Sequence, residues 1–472
     1  MMRARVLRAP ALALGIATAF HCANGYGEDR LRLSLSRQLA SVPGEHVLAC
    51  DGVDCGGTAQ NREPGTPTSA STSARGFTQA EIARTVGEPE HWSRLRVRTE
   101  LGTSGRFNDN VRWKLSGRVD YDGVFDATNF YPSAVRNDER LNFFARENYI
   151  DFAAANWDFR LGRQHIIWGE IVGLFFADVV SAKDYRDFLL PEFDILRIPQ
   201  WAAHAAYTGE QFHVELVWIP VPSYDKLPKP GAEFFALPVP SPPGVVTQVA
   251  GETRPGRKLT STYGARVSTL QAGWDIAAFY YHSMDASPTF YRQVLTTPQP
   301  TVVYEPRHDR IEQFGATLGK DLGSAVLRAE AIYTRGRQYN VVRLTEADGV
   351  VPQNTFDWIG GIDFEALSNT RVNVQLFQRI FFDHDPDILA KRRETGYTLQ
   401  LTYDPSTRTQ AQVLFISSLD RSDWMLRPRM IWKLEKNWRL ISGVDVFHGP
   451  PFGFFGRFAN RDRVYAELRY SF

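Results

Sequence analysis

The chain has 472 residues, 54 Lys and Arg against 53 Asp and Glu, a net charge of +1, and 13% aromatic residues. So even a balance gives no footing for binding nucleic acid. No apolar run is long enough for a transmembrane helix, although a soluble exported enzyme could share these totals, so the pattern along the chain has to decide.

The first residues carry Arg3, Arg5 and Arg8, then a small apolar run from Ala9 to Phe20, with no acidic residue before Glu28. This is the layout of a cleaved signal peptide, 1–27, with Gly25-Tyr26-Gly27 supplying small residues at the cleavage site. Cys22 lacks the preceding residues of an acylation site. Without the three signal arginines the charge falls from +1 to −2. The mature chain keeps Cys50 and Cys55 in a Gly-rich stretch, and an oxidising compartment favours a local disulfide between them. A zinc site would need two further ligands that no neighbouring His or Cys supplies.

Beyond the cysteines the signal is alternation. Val111, Trp113, Leu115, Val119 and Tyr121 fall on one face of an extended segment, with Arg112, Lys114, Ser116, Arg118, Asp120 and Asp122 on the other. The same design recurs in Leu95–Leu101, Trp157–Leu161, Trp201–Tyr207, Phe212–Trp218, Trp274–Tyr280, Ala325–Tyr333, Trp358–Ala366, Tyr397–Tyr403 and Trp424–Leu434. Aromatics sit repeatedly at the ends of the apolar faces, where a membrane barrel places its interfacial girdles. Short turns are expected near 154–156, 209–210, 271–272, 321–323, 367–369, 404–406 and 435–437, with a longer one at 102–110. Long polar or Pro-rich stretches at 123–140, 220–258, 284–308, 338–355, 382–393 and 448–461 lie between them.

Alternating short and long connections predict an all-β, antiparallel up-and-down transmembrane barrel of about 18 strands, with 16 as the alternative, spanning 28–472 in the outer membrane. Strand parity requires an upward strand before 93–101, and Arg30–Ser36 supplies one. Residues 41–91 then form a long external loop that carries the cysteine pair. At the other end Val464, Ala466, Leu468, Tyr470 and Phe472 share one face, and Tyr470 with terminal Phe472 forms an assembly signal. The partners expected on these grounds are outer-membrane lipids, lipopolysaccharide and the barrel-assembly machinery, with no nucleic acid and no cofactor.

Arg160-Leu-Gly-Arg-Gln-His-Ile-Ile-Trp-Gly-Glu170, Asp178-Val-Val, Arg197-Ile-Pro-Gln-Trp201 and Asn460–Phe472 resemble a family of proteobacterial outer-membrane proteins of unknown function, the domain-of-unknown-function family thirteen-hundred-two. The resemblance runs through nearly the whole mature chain and leaves out the cysteine segment. Members are often encoded beside RND-type exporters. That implies a periplasmic or RND-type transport partner and traffic in a hydrophobic or amphipathic solute.

Alternation breaks down after residue 165. The stretch 171–197 mixes charges with Phe175, Phe176, Phe188, Leu189, Leu190 and Phe193, so it is expected to fold into the lumen as a plug or constriction; an external cap is the alternative. Arg163, Trp168, Glu170, Asp178, Lys183, Asp184, Arg186, Asp187 and Arg197 are its candidate residues. Inward-facing Arg96, Arg98, Arg112, Lys114, Arg427 and Arg429 lie on strands near the closure and form a basic sector. Two readings stay open for it: an anion-preferring wall, or a salt-bridge web with the acids of the plug.

No Gly-x-Ser-x-Gly, phosphate loop or zinc-spaced His pair is present, and His165, His204 and His213 fall on different strands. The chain is therefore read as a channel and not an enzyme, with a structural or adhesion barrel as a further alternative. Asp383, Asp385, Asp387 and Glu394 are spaced like calcium-loop ligands, but Ile388 stands where the loop glycine is needed and Lys391-Arg392-Arg393 follows. A solvated outer loop competes with that reading.

Overall fold

The structure, a computed structural model, describes residues 73–169, 171, 176–240, 244–255 and 262–472, all within one compact unit, Pro64–Phe472. Eighteen strands form a single sheet. They are β1 (Ser73–Thr85), β2 (His91–Asn108), β3 (Val111–Asp122), β4 (Leu141–Ala154), β5 (Trp157–Gln164), β6 (Gln200–Thr208), β7 (His213–Val221), β8 (Thr262–Gln271) and β9 (Trp274–Met284). The second half is β10 (Arg310–Asp321), β11 (Ala325–Asn340), β12 (Val350–Leu367), β13 (Thr370–Phe382), β14 (Arg393–Ser406), β15 (Thr409–Ser418), β16 (Trp424–Lys433), β17 (Trp438–His448) and β18 (Arg463–Ser471). Each strand pairs antiparallel with its neighbour, and β18 returns to pair with β1, so the sheet has no free edge.

Period-two alternation gives the wall two faces. Along β2, Val97 and Leu101 are 45% and 56% exposed, whereas Arg94 and Arg98 on the other face are 1% and 3% exposed. The outward side chains, Leu115, Val119, Leu161, Trp218 and Leu376 among them, form the apolar belt that lipid covers. Rings close the belt at the short-turn end. Trp157 meets Tyr207 at 5.1 Å, and Trp438 meets Tyr470 at 4.9 Å between centroids.

Turn chemistry sets which end is which. Ala272 and Gly273 both adopt positive φ, 51° and 76°, between paired Gln271 and Trp274, the backbone of a two-residue hairpin that follows strand twist. Turns at 155–156 and 368–369 are equally tight. The opposite end carries the long connections, two of them with short helices: α1 (Val124–Ala127) and α2 (Ser133–Glu139) in 123–140, and α3 (Phe193–Leu196) in 165–199. Residues 246–249, 289–295 and 301–307 form a small separate sheet in that region.

The segments expected from alternation coincide with barrel strands, Phe212 and Leu434 alone lying one residue past a strand end, but two expectations need correction. The turn expected at 102–110 is shorter, because β2 continues to Asn108 and leaves only 109–110. The strand that closes on β18 is β1 and not 30–36, so 41–91 is not one external loop: it contains β1 and ends where β2 begins. The cause is visible in β1. Its outward face holds Ala74, Gly76, Thr78, Ala80, Ile82 and Arg84, of which Ile82 alone is large and apolar, so the alternation is faint. The signal peptide, residues 30–36, Cys50 and Cys55 lie outside the described residues.

At the seam the Gly76 amide donates to the Phe472 carbonyl at 2.9 Å, and the Phe472 amide donates to Gly76 at 3.0 Å. A Cβ on Gly76 would stand 2.4 Å from the Glu100 carbonyl oxygen and 3.0 Å from the Phe472 ring. The mature chain lacking 30–36 should therefore still give a folded, heat-modifiable band on electrophoresis. Gly76→Leu, which drives a side chain into backbone, should abolish or weaken that band; the reverse pattern would put the closure elsewhere.

Candidate functional site

The connection from β5 to β6 lies against inward-facing side chains of strands far apart in the wall. Ile166, Trp168, Ala177 and Val180 pack with Ala202, Val217, Phe279 and Ile332 of β6, β7, β9 and β11. Trp168 is 1% exposed and its Nε1 donates to Glu215 at 3.3 Å. Glu330 of β11 accepts the amides of Ile171 at 2.9 Å and Ala177 at 2.7 Å, fixing both sides of 172–175 to one wall residue. Further on, Phe188 and Leu190 pack with Phe234, Met425, Phe447 and Phe458.

Two carboxylates of this connection reach the arginines of the wall. Asp187, at the end of a 3-10 turn (Tyr185–Asp187), accepts from Arg94 Nε at 2.8 Å and Arg96 Nη1 at 2.5 Å, both on β2. Glu192 accepts from Arg439 of β17 at 2.6 Å and Arg469 of β18 at 3.0 Å. Burial opposes ionisation of Asp187, but Arg94 and then Arg96 hold its carboxyl well below the usual range. Glu192 is lowered likewise, burial being outweighed by Arg439 and Arg469. Glu139 of α2, 3.3 Å from Arg94, goes the other way: burial pushes it up to about 7 despite that arginine.

The wall supplies further partners of its own. Arg98 and Asp120 form a two-pronged pair at 2.9 and 2.8 Å, and Arg96 also reaches Glu81 of β1 at 2.6 Å. Asp445, 0% exposed, bridges Arg427 and Arg463 at 2.7 Å each, and Lys114 meets Glu147 at 2.6 Å. Arg429 bonds Gln412 at 2.7 Å and makes no ion pair among the described residues; neither does Arg112. Of the six residues of the basic sector, Arg96 alone pairs with an acid of the 165–199 connection among the described residues, while Arg98, Lys114 and Arg427 pair with acids of the wall.

The remaining expected residues sort into local groups. Asp178 meets Arg197 at 2.9 Å and Lys183 at 3.8 Å, while Asp184 meets Arg186 at 2.7 Å, so neither acid reaches the basic sector. Arg163 has its Nε buried without a hydrogen-bond partner among the described residues, and Glu170 lies outside them. Tyr470 and Phe472 sit at the seam, 6.0 Å apart. The calcium expectation is corrected. Asp385 and Asp387 are taken by Arg343 at 2.6 and 3.6 Å and Glu394 pairs with Arg421, so arginines fill the place of a cation. Sequence reasoning missed Glu139, Glu192, Arg439 and Asp445. The alternation of their strand pointed Arg439 and Asp445 inward, but Glu139 ends a seven-residue helix and Glu192 stands in irregular backbone, and neither shows a strand period to read.

A second buried hub joins the long connections. Glu233, 3% exposed, accepts from Thr85 Oγ1 at 2.7 Å and Tyr131 at 2.9 Å and bonds His91 Nε2 at 2.8 Å. The other ring nitrogen of His91 bonds the Pro89 carbonyl at 2.6 Å, and its ring stacks on Phe130 at 3.8 Å. One carboxylate thus ties three connections together: 86–90, 123–140 and 222–261.

A closed eighteen-strand barrel with an apolar belt and aromatic ends is a bacterial outer-membrane β-barrel of porin-like architecture. The family described as "Protein of unknown function (DUF1302)" matches residues 90–472, and the chain belongs to it. No curated protein matches. Among solved structures the chain is similar to OccK8 (OprE) of Pseudomonas aeruginosa, at 10% identity and a TM-score of 0.50, over 85% of this chain and 97% of that one. It is also similar to OccAB3 of Acinetobacter baumannii, at 8% identity and a TM-score of 0.49, over 85% and 99%. The outer-membrane channel DcaP of the same organism matches at 13% identity and a TM-score of 0.40, over 85% and 97%.

The Glu233 hub has a defined pH response. Burial raises its carboxyl, but the bonds from His91 and Thr85 outweigh that and bring it from 4.5 to about 2. A depressed carboxyl stabilises the fold above its unfolded value and loses that contribution as pH falls through the folded one. The tie is therefore expected to be complete above about pH 4.5 and to fail toward about 2. Glu233→Gln should cost roughly 1–3 kcal/mol locally and make 86–90 and 222–240 open to protease in an otherwise heat-resistant barrel. Unchanged cleavage would show that the hub ties nothing.

Proposed function

We propose that the protein is a porin-like channel for small or amphipathic solutes whose lumen is narrowed by residues 176–199. The observation that carries this reading is the pair of bridges made by Asp187 to β2 and Glu192 to β17 and β18, all through inward-facing arginines. Charges at this depth sit in a low effective dielectric, so they are held tightly and removing one partner costs about 3–5 kcal/mol. An external cap would have no reason to place its carboxylates on wall arginines flanked by lipid-facing residues.

Deleting 176–192 should raise single-channel conductance in planar bilayers several-fold while the barrel stays heat-resistant in detergent. In wild type, the paired sector should give weak ion selectivity in dilute salt. Removing Asp187 and Glu192 with the segment should shift the reversal potential toward anions, and that shift should fade as the Debye length falls from about 10 Å at 0.1 M to about 3 Å at 1 M salt. A well-folded deletion with unchanged conductance would place the segment outside the conducting path.

A further inference from the structure

The lipid-covered wall is not of one height. The rings at its two borders stand eight residues apart on β3, Trp113 and Tyr121, and eight apart on β16, Trp432 and Trp424. On β6 the border rings are Tyr207 and Trp201, only six residues apart. A strand tilted by about 40° climbs roughly 2.6 Å per residue, so the wall is lower by about 5 Å at β6. β5 beside it has eight residues, Trp157–Gln164, fewer than the roughly 9–11 that span a bilayer.

The neighbouring strand shows what this low wall does to the backbone. The closed sheet has no edge strand, but β4 rises past the end of β5. Its pairing with β5 stops at Asn148 and Arg163, while its pairing with β3 continues to Leu141. Among the described residues, 141–147 therefore have a strand on one side only, and a notch lies above β5. An open stretch of sheet is not tolerated in hydrocarbon, where nothing hydrates a peptide group, so head groups and water have to reach down to it. A bilayer accommodates a short apolar wall in the same way, by thinning beside it.

At the top of the low wall stands an arginine. Expected at the constriction, Arg163 instead shares the outward face of β5 with exposed Leu161 and pairs across to exposed Trp201 of β6. Its Nε is buried, and it makes no hydrogen bond or ion pair with a described residue. The inward arginine of the same strand is paired, Arg160 with Asp151 at 2.6 Å. Ile167, just past the end of β5, and Phe143, on the open stretch of β4, are exposed as well. A cation on the lipid face, with no acid of its own and apolar side chains around it, suits an anion carried on acyl chains. In the leaflet at the long-loop end that anion is a phosphate of lipid A, the membrane anchor of lipopolysaccharide. A second copy docked two-fold by this face would bring like charge to like charge.

We propose that Arg163 is a binding site for a phosphate of lipid A, seated where the low wall at β5 and β6 thins the outer leaflet, with Trp201 and Ile167 against the acyl chains. The guanidinium fork takes two phosphate oxygens at once, which an ammonium group does not. The site is separate from the lumen, and it stands whether or not residues 176–199 narrow the channel.

The test is native mass spectrometry of the full mature protein in detergent, titrated with bisphosphorylated lipid A and with lipid A stripped of its phosphates. Wild type should retain one bisphosphorylated molecule about tenfold more tightly than Arg163→Gln does, and Arg163→Lys should recover part of the difference. The dephosphorylated form should bind wild type and Arg163→Gln alike. Arg335→Gln is the control: that arginine is exposed at the same end but faces Glu312 at 3.7 Å, so its loss should leave retention unchanged. Equal retention by wild type and Arg163→Gln, or a loss as large in Arg335→Gln, would overturn the proposal. So would disulfide-linked pairs formed in the outer membrane by Ile167→Cys and absent from wild type, since a second copy would then fill the notch.

Discussion

In the hydrocarbon of a membrane no water is present to satisfy a peptide group, so each amide and carbonyl of a spanning segment needs a partner within the protein. For β-structure only closure meets that demand, and here it falls on the pairing of β18 with β1. The other features of the wall follow from this one constraint. A closed sheet has one face toward lipid and one toward the lumen, so every second side chain must be apolar and the rest are free to be charged. The same constraint keeps irregular backbone away from lipid, which leaves the two ends of the barrel, or its interior, for everything that is not strand.

The interior then poses its own problem. Inward arginines on β2, β16, β17 and β18 lie close together, and burial taxes each charge. The wall answers in part with its own acids, Asp120, Asp445 and Glu81, each within 2.6–2.9 Å of a guanidinium. It does not answer fully, and the balance comes from the connections: Asp187 and Glu192 from 165–199, and Glu139 from α2. The segment therefore owes its place less to its own propensity than to a charge pattern printed on the wall. The apolar contacts of Trp168 and Phe188 add bulk but little direction, because hydrophobic contact is not directional. Direction comes from the guanidinium groups.

How much of this could be read in the sequence depends on which residues carried a period. Strands with large apolar residues at alternate positions, such as Leu115, Val119 and Tyr121 of β3, were legible, and with them the number of strands and the inward placing of Arg96, Arg98 and Arg427. β1 was not, because its outward face is Thr78, Ala80 and Ile82 and its inward face carries Gln79 and Glu81, so neither face stands out. The shorter but cleaner alternation of Arg30–Ser36 took its place in the parity count. Within the site, Asp187 was legible as an acid in a charged, apolar-rich connection, but its partner was not. Pairing across the lumen depends on three-dimensional position, and Asp178 and Asp184, equally acidic and equally near in sequence, turn to Arg197 and Arg186 instead. The likeness of Asp383–Glu394 to a calcium loop failed for a related reason. Spacing counts the carboxylates but not the arginines, Arg343 and Arg421, that arrive from other loops.

A basic wall bare of counter-ions and a basic wall paired with a non-strand segment are different devices, though their sequences differ little. The first is a fixed field: it favours anions at all times, within the reach of screening. The second stores its preference in the segment. While Asp187 and Glu192 are seated, the arginines attract little, and the path beside them is occupied by the residues that neutralise them. Deleting 176–192, the variant proposed above, removes bulk and uncovers these arginines in the same change. A wall built for a constant field would not need Glu192 bridged between β17 and β18, nor a backbone bent as it is at Phe188 to put Asp187 between Arg94 and Arg96. The backbone at Phe188 is held bent because the segment it belongs to leaves Arg94, Arg96, Arg439 and Arg469 paired.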